Sequence, residues 1–183
     1  VWLAEKGIRV SGIDISLVAL GLARKNLKRS GLSESVGTLK EASATSVPFP
    51  DASFDGIIEA LVFQHLGKEE REAAFGEVRR LLKPGGLFVG CMLDQGHTIF
   101  KTRRDKEDPK DPGTLWLHEG TTNLHLTDLG LCHFYRRGEI IKLLRGFSIV
   151  DPCRTTYDLP HVEAEKRGYK KYHQSMWTVF AVK

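Results

Sequence analysis

Apolar and polar positions follow two rhythms along this chain. The stretch "GIRVSGID" at 7–14 reads as a strand that ends on a single acid, Asp14. Ser16 is placed to cap the helix that follows. Leu17, Leu20 and Leu27, spaced by three and seven, predict one apolar helix face, and Gly31 lies where such a helix stops. A weaker strand is predicted over 36–40. Pro48, Pro50 and Asp51 then make a turn, and 54–60 reads as a short buried strand. An amphipathic helix is predicted over 69–83, with Phe75, Val78 and Leu82 on one face and Pro84, Gly85 and Gly86 as its stop. "LFVGCML" continues as an apolar strand. Residues 94–130 break the rhythm: "KTRRDKEDPKDPG" mixes both charge signs with prolines and predicts an exposed loop. A helix near 138–144, a strand over 147–155 and a last strand in "SMWTVFAVK" complete the pattern.

Strands alternating with helices predict a single α/β domain over 1–183, with an insertion at about 94–130. Its sheet is expected to be mostly parallel, with helices on both faces. The last two strands lack an apolar-rich helix between them, so they are expected to pair antiparallel. With 183 residues, 41% hydrophobic and 27% charged, the chain has material for one core. No apolar run approaches the roughly 20 residues of a membrane helix. Cys91, Cys132 and Cys153 are far apart and form no CxxC pair, which points to a reducing, cytoplasmic compartment. Cys153 is expected to be an ordinary buried thiol. The net charge of +4 is too small to imply nucleic acid. Nothing in the pattern fixes the oligomeric state.

Ligands of open α/β sheets bind beyond the carboxyl ends of the strands, where Asp14 stands. A carboxylate there accepts hydrogen bonds from a ribose diol. The other reading of Asp14 is a charge favoured by the helix dipole. His118, His125 and His133 are spaced too widely for a compact zinc motif and no cysteine joins them, so no metal is expected.

Three stretches, "VWLAEKGIRVSGIDIS", "VPFPDASFDGII" and "EVRRLLKPGGLFV", resemble in order and spacing the class I S-adenosylmethionine-dependent methyltransferases. The resemblance covers residues 1 to about 93, and the second half matches only in element order. It implies a Rossmann-like fold, an antiparallel last strand and S-adenosylmethionine as cofactor. By position, Asp14 would bind both ribose hydroxyls and Ile15 would pack on the adenine. Where the family carries an acid and a small residue before the "PFPD" turn, this chain has Ser43 and Ala44, with Glu41 nearby as a substitute acid. Glu59 and Ala60 would line the methionine end of the cofactor. Glu59 is then a partner of the cofactor's ammonium group, a general base, or a polar residue at a solvated strand end. His133 is a second candidate base if it faces the acceptor, and otherwise a surface or capping histidine. His65 takes the place of a family histidine and reads as structural.

The resemblance further implies methyl transfer to a small-molecule acceptor by in-line displacement, in which the protein mainly aligns the partners. A base is needed only where the acceptor loses a proton. Residues 94–130 would cover the acceptor. Motifs for methylating DNA bases are absent after the strand at 54–60, where "EALVFQHL" stands. Alternatives are a nicotinamide-dependent enzyme, which "PFPDASFD" and "LLKPGG" argue against, a methyltransferase-like domain without activity, and an RNA methyltransferase. The last rests on Arg24, Lys25, Lys28 and Arg29, which otherwise form a solvated face. Neither specific nucleic acid nor membrane is expected as a partner. The family's first strand and glycine-rich loop do not precede "GIRVSGIDIS", and "VWLAEKG" resembles the end of its first helix. An N-terminally incomplete domain with weak cofactor binding of its own is therefore expected.

Overall fold

The computed structural model describes residues 1–117 and 130–183, which leaves His118 and His125 outside the described residues. The chain forms two compact units, Val1–Phe49 and Pro50–Lys183.

The first unit contains α1 (Trp2–Glu5), β1 (Val10–Asp14), α2 (Leu17–Arg29) and β2 (Val36–Glu41), with β1 and β2 parallel. Ser16 caps α2 as expected, its Oγ accepting from the Ala19 amide at 3.2 Å. Gly31, at φ +67°, closes the helix. Its amide donates to the Lys28 carbonyl, and the Leu32 amide donates to that of Leu27, a pattern that needs a left-handed residue at this point. Leu20 and Leu27 are buried, but Leu17 is 62% exposed. The reason is angular: at 3.6 residues per turn, Leu20 and Leu27 nearly eclipse, while Leu17 lies about 60–80° away.

The second unit contains β3 (Phe54–Ala60), a 3-10 turn (Phe63–His65), α3 (Lys68–Leu81), β4 (Leu82–Leu93) and α4 (Thr98–Thr102). It continues with β5 (Thr114–Leu117), β6 (Gly130–His133), α5 (Arg137–Leu143), β7 (Ile149–Asp158), α6 (His161–Lys166) and β8 (His173–Val182). The main sheet has the order β3-β4-β8-β7. β3 and β4 are parallel, and β8 runs antiparallel to both β4 and β7. Hence β3, β4 and β7 point one way, with the last strand reversed between two of them. β5 and β6 form a separate antiparallel pair.

Alternation along β4 and β8 sends Phe88, Met92, Trp177, Val179 and Ala181 to one buried face. Phe75 of α3 packs there, its ring edge-on to those of Phe63 (5.1 Å) and Phe88 (6.0 Å). Arg79 ties α3 to the end of α5 by donating to the Leu143 and Arg145 carbonyls. The opposite face carries Ile58, Leu87 and Phe180, all exposed. The strand over 54–60, expected to be buried, is therefore mostly not: β3 is an edge of its sheet, and Glu59 is its one buried residue.

Three further expectations change. The helix ends at Leu81, and the Pro84-Gly85-Gly86 run lies inside β4, where the Gly85 amide donates to the Lys183 carbonyl at 2.8 Å. The segment after β4 is no simple exposed loop: Ile99, Phe100, Leu115 and Leu117 are buried in one cluster with Leu93, Phe134 and Tyr172. Charges and prolines dominate its composition, but its apolar residues are the ones turned inward. Cys153 is exposed on the edge strand β7, and all three cysteines are unpaired.

If 94–117 is core, Leu115→Ala should cost about 2–5 kcal/mol, as buried leucines do. Urea unfolding measures this, and a change within about 0.5 kcal/mol would return the segment to the surface.

Candidate functional site

In the first unit, the parallel pairing of β1 with β2 sets Asp14 beside Glu41 at the strand ends. Asp14 Oδ1 accepts from the Ser16 amide at 2.8 Å, and the exposed carboxylate keeps its other oxygen toward solvent. Ile15 next to it is 77% exposed, an apolar surface at a strand end. Ser43 and Ala44 are half-buried in the turn after β2. The Ser43 hydroxyl is engaged locally, 2.8 Å from Thr45 Oγ1 and accepting from the Thr45 amide at 3.2 Å. One end of this unit thus gathers Asp14, Ile15, Glu41, Ser43 and Ala44.

In the second unit, Glu59 ends β3 at 5% exposure, while Ala60 is exposed. Glu59 Oε1 accepts from the amides of Val62 (2.6 Å) and Phe63 (3.1 Å), and Oε2 from that of Cys91 (3.2 Å). A solvated strand-end carboxylate is therefore not what this residue is. Burial pushes its pKa up, against the pull of the three amides. The clamp holds the loop after β3 in place, including Leu61 at φ +62°, a backbone state that leucine rarely adopts. Glu59 also raises the Cys91 thiol, though burial of that thiol does more.

His65 ties the same loop to β6. Its Nδ1 donates to the Leu131 carbonyl at 3.0 Å, because a carbonyl only accepts. Its Nε2 then accepts from the Gln64 amide nitrogen at 3.2 Å, which leaves Gln64 Oε1 buried without a partner among the described residues.

His133 is fully buried, so the surface or capping alternative does not hold. Thr114 Oγ1 lies 2.6 Å from its Nδ1, and Glu139 Oε1 lies 2.8 Å from its Nε2. Thr114 also donates to Asp111 Oδ2 at 2.7 Å, and Asp111 receives both terminal nitrogens of the buried Arg71, at 2.7 and 3.0 Å. Burial raises the Asp111 pKa, but its hydrogen bonds to Arg71 and Thr114 and the nearby charges outweigh this and lower it. The Tyr135 ring stands edge-on to His133 with centroids 4.5 Å apart. Its hydroxyl is buried and has no partner among the described residues.

Arg71, Asp111, Thr114, Tyr135 and Glu139 were not foreseen. They are up to 68 positions apart, from Arg71 to Glu139, with no local spacing to betray them. Among the described residues no cluster suits a metal ion.

Residues 1–90 match the family model of the methyltransferase domain. The chain is also similar to a crystal structure of a methyltransferase dependent on S-adenosylmethionine from Methanosarcina mazei. That likeness has a TM-score of 0.75 and 26% identity, and covers 100% of this chain and 85% of that one. The chain belongs to the class I S-adenosylmethionine-dependent methyltransferase family. Among curated relatives, a Thermus thermophilus demethylmenaquinone methyltransferase is 36% identical over 83 residues, 45% of this chain and 36% of its own. A Gibberella zeae sterol 24-C-methyltransferase is 36% identical over 84 residues, 45% of this chain and 21% of its own. The chain spans about a third of the length of the first curated relatives it matches, 33% and 36%.

Glu59→Ala would strand three amides in a buried place at about 1–3 kcal/mol each, so chemical denaturation should record a loss of roughly 3 kcal/mol or more. A loss under about 0.5 kcal/mol would show that the clamp is dispensable. The two shifted carboxylates act oppositely with pH. Asp111, lowered from its ordinary 3.8, adds stability above that value that disappears as pH falls through its folded pKa. Glu59, raised from 4.5, favours the fold most below that value and less as pH rises through its folded pKa. Asp111→Asn should therefore flatten the acid limb of a pH–stability curve, and an unchanged limb would contradict the assignment.

Proposed function

We propose that the protein transfers the methyl group of S-adenosylmethionine to a small-molecule acceptor. Family membership gives the reaction class its support. The observation that carries the site is the exposed Asp14 carboxylate at the end of β1, with the bare Ile15 side chain after it. A ribose diol needs such an acceptor, and an adenine ring needs such an apolar platform. Ser43 and Ala44 would meet the adenine edge, with Glu41 as the available acid. Ala60 and the loop after it would lie along the methionine end.

The fit at that end favours a modified role for Glu59. Three amides already occupy its oxygens, so we infer that it positions the loop and does not itself take a proton or an ammonium group. S-adenosylmethionine supplies, when bound, an activated methyl on a sulfonium. The chain's own residues orient the acceptor toward it and keep water out. The quinone and sterol methyltransferases among its relatives support an acceptor of the small-molecule kind.

We do not assign a nucleic-acid partner. Of the basic residues on α2, Arg24 is engaged with the Leu39 carbonyl at 2.8 Å. Among the described residues no helix is long and apolar enough to cross a membrane. Unpaired cysteines support a reducing, cytoplasmic setting.

In the full-length protein, Asp14→Ala should lower affinity for S-adenosylmethionine at least about tenfold, since hydrogen bonds to a charged group contribute about 1.5–3 kcal/mol. Calorimetry with unchanged affinity would remove Asp14 from the site. A panel of hydroquinones, sterols, phenols and amines, read by formation of S-adenosylhomocysteine, tests the activity. No acceptor-dependent signal across the panel would favour the domain without activity.

A further inference from the structure

The polar chain behind β6 has a direction that follows from donor and acceptor rules alone. Asp111 is held as a carboxylate by two hydrogen bonds from Arg71, so it only accepts. The Thr114 hydroxyl has one proton and gives it to Asp111 Oδ2. Its contact with His133 Nδ1 at 2.6 Å must then be an acceptance, which fixes a proton on Nδ1. The remaining ring nitrogen, Nε2, faces Glu139 Oε1 at 2.8 Å. A single proton is left to share between those two atoms.

The surroundings are built for that ring. Gly113 has φ +97°, and a Cβ there would fall 3.0 Å from the imidazole carbon between the two nitrogens and closer still to Gln95 and the Phe134 carbonyl. The imidazole itself is fully buried, while the Glu139 side chain is 30% exposed, so protons reach His133 through Glu139. The charged and titratable groups around the pair are Arg71 on α3, Asp111 before β5, Cys132 on β6, Tyr135 after β6 and Glu59 on β3. The unpartnered Tyr135 hydroxyl is a second sign of a ligand. It lies among the charges of Arg71, Glu59 and Glu139, and burial keeps it protonated, so it stands as a free donor. Tyr135 follows β6 and bridges to Asp94, just past the end of β4, which places the cluster toward the carboxyl ends of the parallel strands.

We propose that Asp111, Thr114, His133 and Glu139 form a proton relay whose outer carboxylate takes up the proton of the methyl acceptor. This rests on the methyl-transfer reading above. It narrows the acceptor to compounds that must lose a proton, such as a hydroxyl, a phenol, an amine or an activated carbon acid. The bond from the acceptor atom to hydrogen breaks, and its electron pair takes the methyl carbon. The pair of the broken carbon–sulfur bond stays on sulfur. The proton passes to Glu139 and is shared with His133 Nε2. Glu139 is the catalytic residue, and Asp111, Thr114 and His133 are positioning residues that keep it basic and in one place.

Long-range proton–nitrogen spectra of the nitrogen-15-labelled full-length protein, without cofactor or acceptor, test the relay between about pH 5 and pH 9. The expected result is a His133 whose Nδ1 stays protonated throughout while Nε2 changes state. Glu139→Gln should move that change to lower pH, because the carboxylate favours the charged ring. Thr114→Val should release the tautomer, and Thr114→Ser should restore it, which separates the relay from a loss of fold. A neutral His133 with its proton on Nε2, or an Nε2 that never changes state, overturns the relay. For an acceptor that the wild type methylates, Glu139→Gln should slow transfer at least about a hundredfold with cofactor affinity kept. A variant as fast as the wild type overturns the catalytic role. If no acceptor in the panel is methylated, the methyl-transfer reading fails and with it Glu139's part in that reaction, while the relay stands or falls on the spectra.

Discussion

A guanidinium withdrawn from water must be answered by acceptors on every side, and Arg71 is 2% exposed. Its partners are the Leu66 carbonyl at 2.8 Å and both oxygens of Asp111. That demand is what draws the charged segment before β5 inward. Once Asp111 is buried, Thr114 has a fixed acceptor, His133 has a fixed tautomer, and Glu139 has one atom left to face. Such a pair is poor evidence for added stability, because desolvation offsets most of the attraction. What it supplies is register, since only one placement of β5 against α3 satisfies every donor.

Glu59 works by the opposite means. It has no cationic partner among its hydrogen bonds, and three backbone amides hold it instead. Asp111 is therefore kept ionised by charge and Glu59 is clamped by geometry, at the cost of a raised pKa. The amides belong to the loop after β3 and to β4, so the carboxylate fixes how the chain leaves its strand. A leucine at positive φ survives there because the clamp on Val62 and Phe63 and the Leu61 amide bond to the Cys91 carbonyl determine the backbone from both sides.

Much of the fold was legible where the governing signal is local. The cap at Ser16, the glycine stop at Gly31, the strand ending at Asp14 and the reversed last strand all follow from residues within one or two turns of each other. The failures share a cause. Leu17, the strand at 54–60, Cys153 and the charged segment were each judged by composition or spacing, whereas burial depends on which strand lies at an edge and on what packs across. The candidate site divides the same way. Asp14 and Glu59 were found because they stand at strand ends. The partners of His133 were missed because a side-chain network joins residues through space and leaves no period in the sequence.

The boundary of the family match falls across that network. Arg71 lies within residues 1–90, while Asp111, Thr114, His133 and Glu139 lie beyond them. A common cofactor calls for a common set of contacts, and different acceptors call for different ones, so a methyltransferase family shares its cofactor half more readily than its acceptor half. Quinone and sterol enzymes both align with this chain over less than half its length, which accords with that division. A residue that joins the two halves must present to the variable part a group with few acceptable answers. A buried arginine does this, because its planar fork accepts a carboxylate in two parallel hydrogen bonds and tolerates little else. Arg71 thus constrains the variable half to bring an acid to one point, and everything from Thr114 to Glu139 is built outward from that acid.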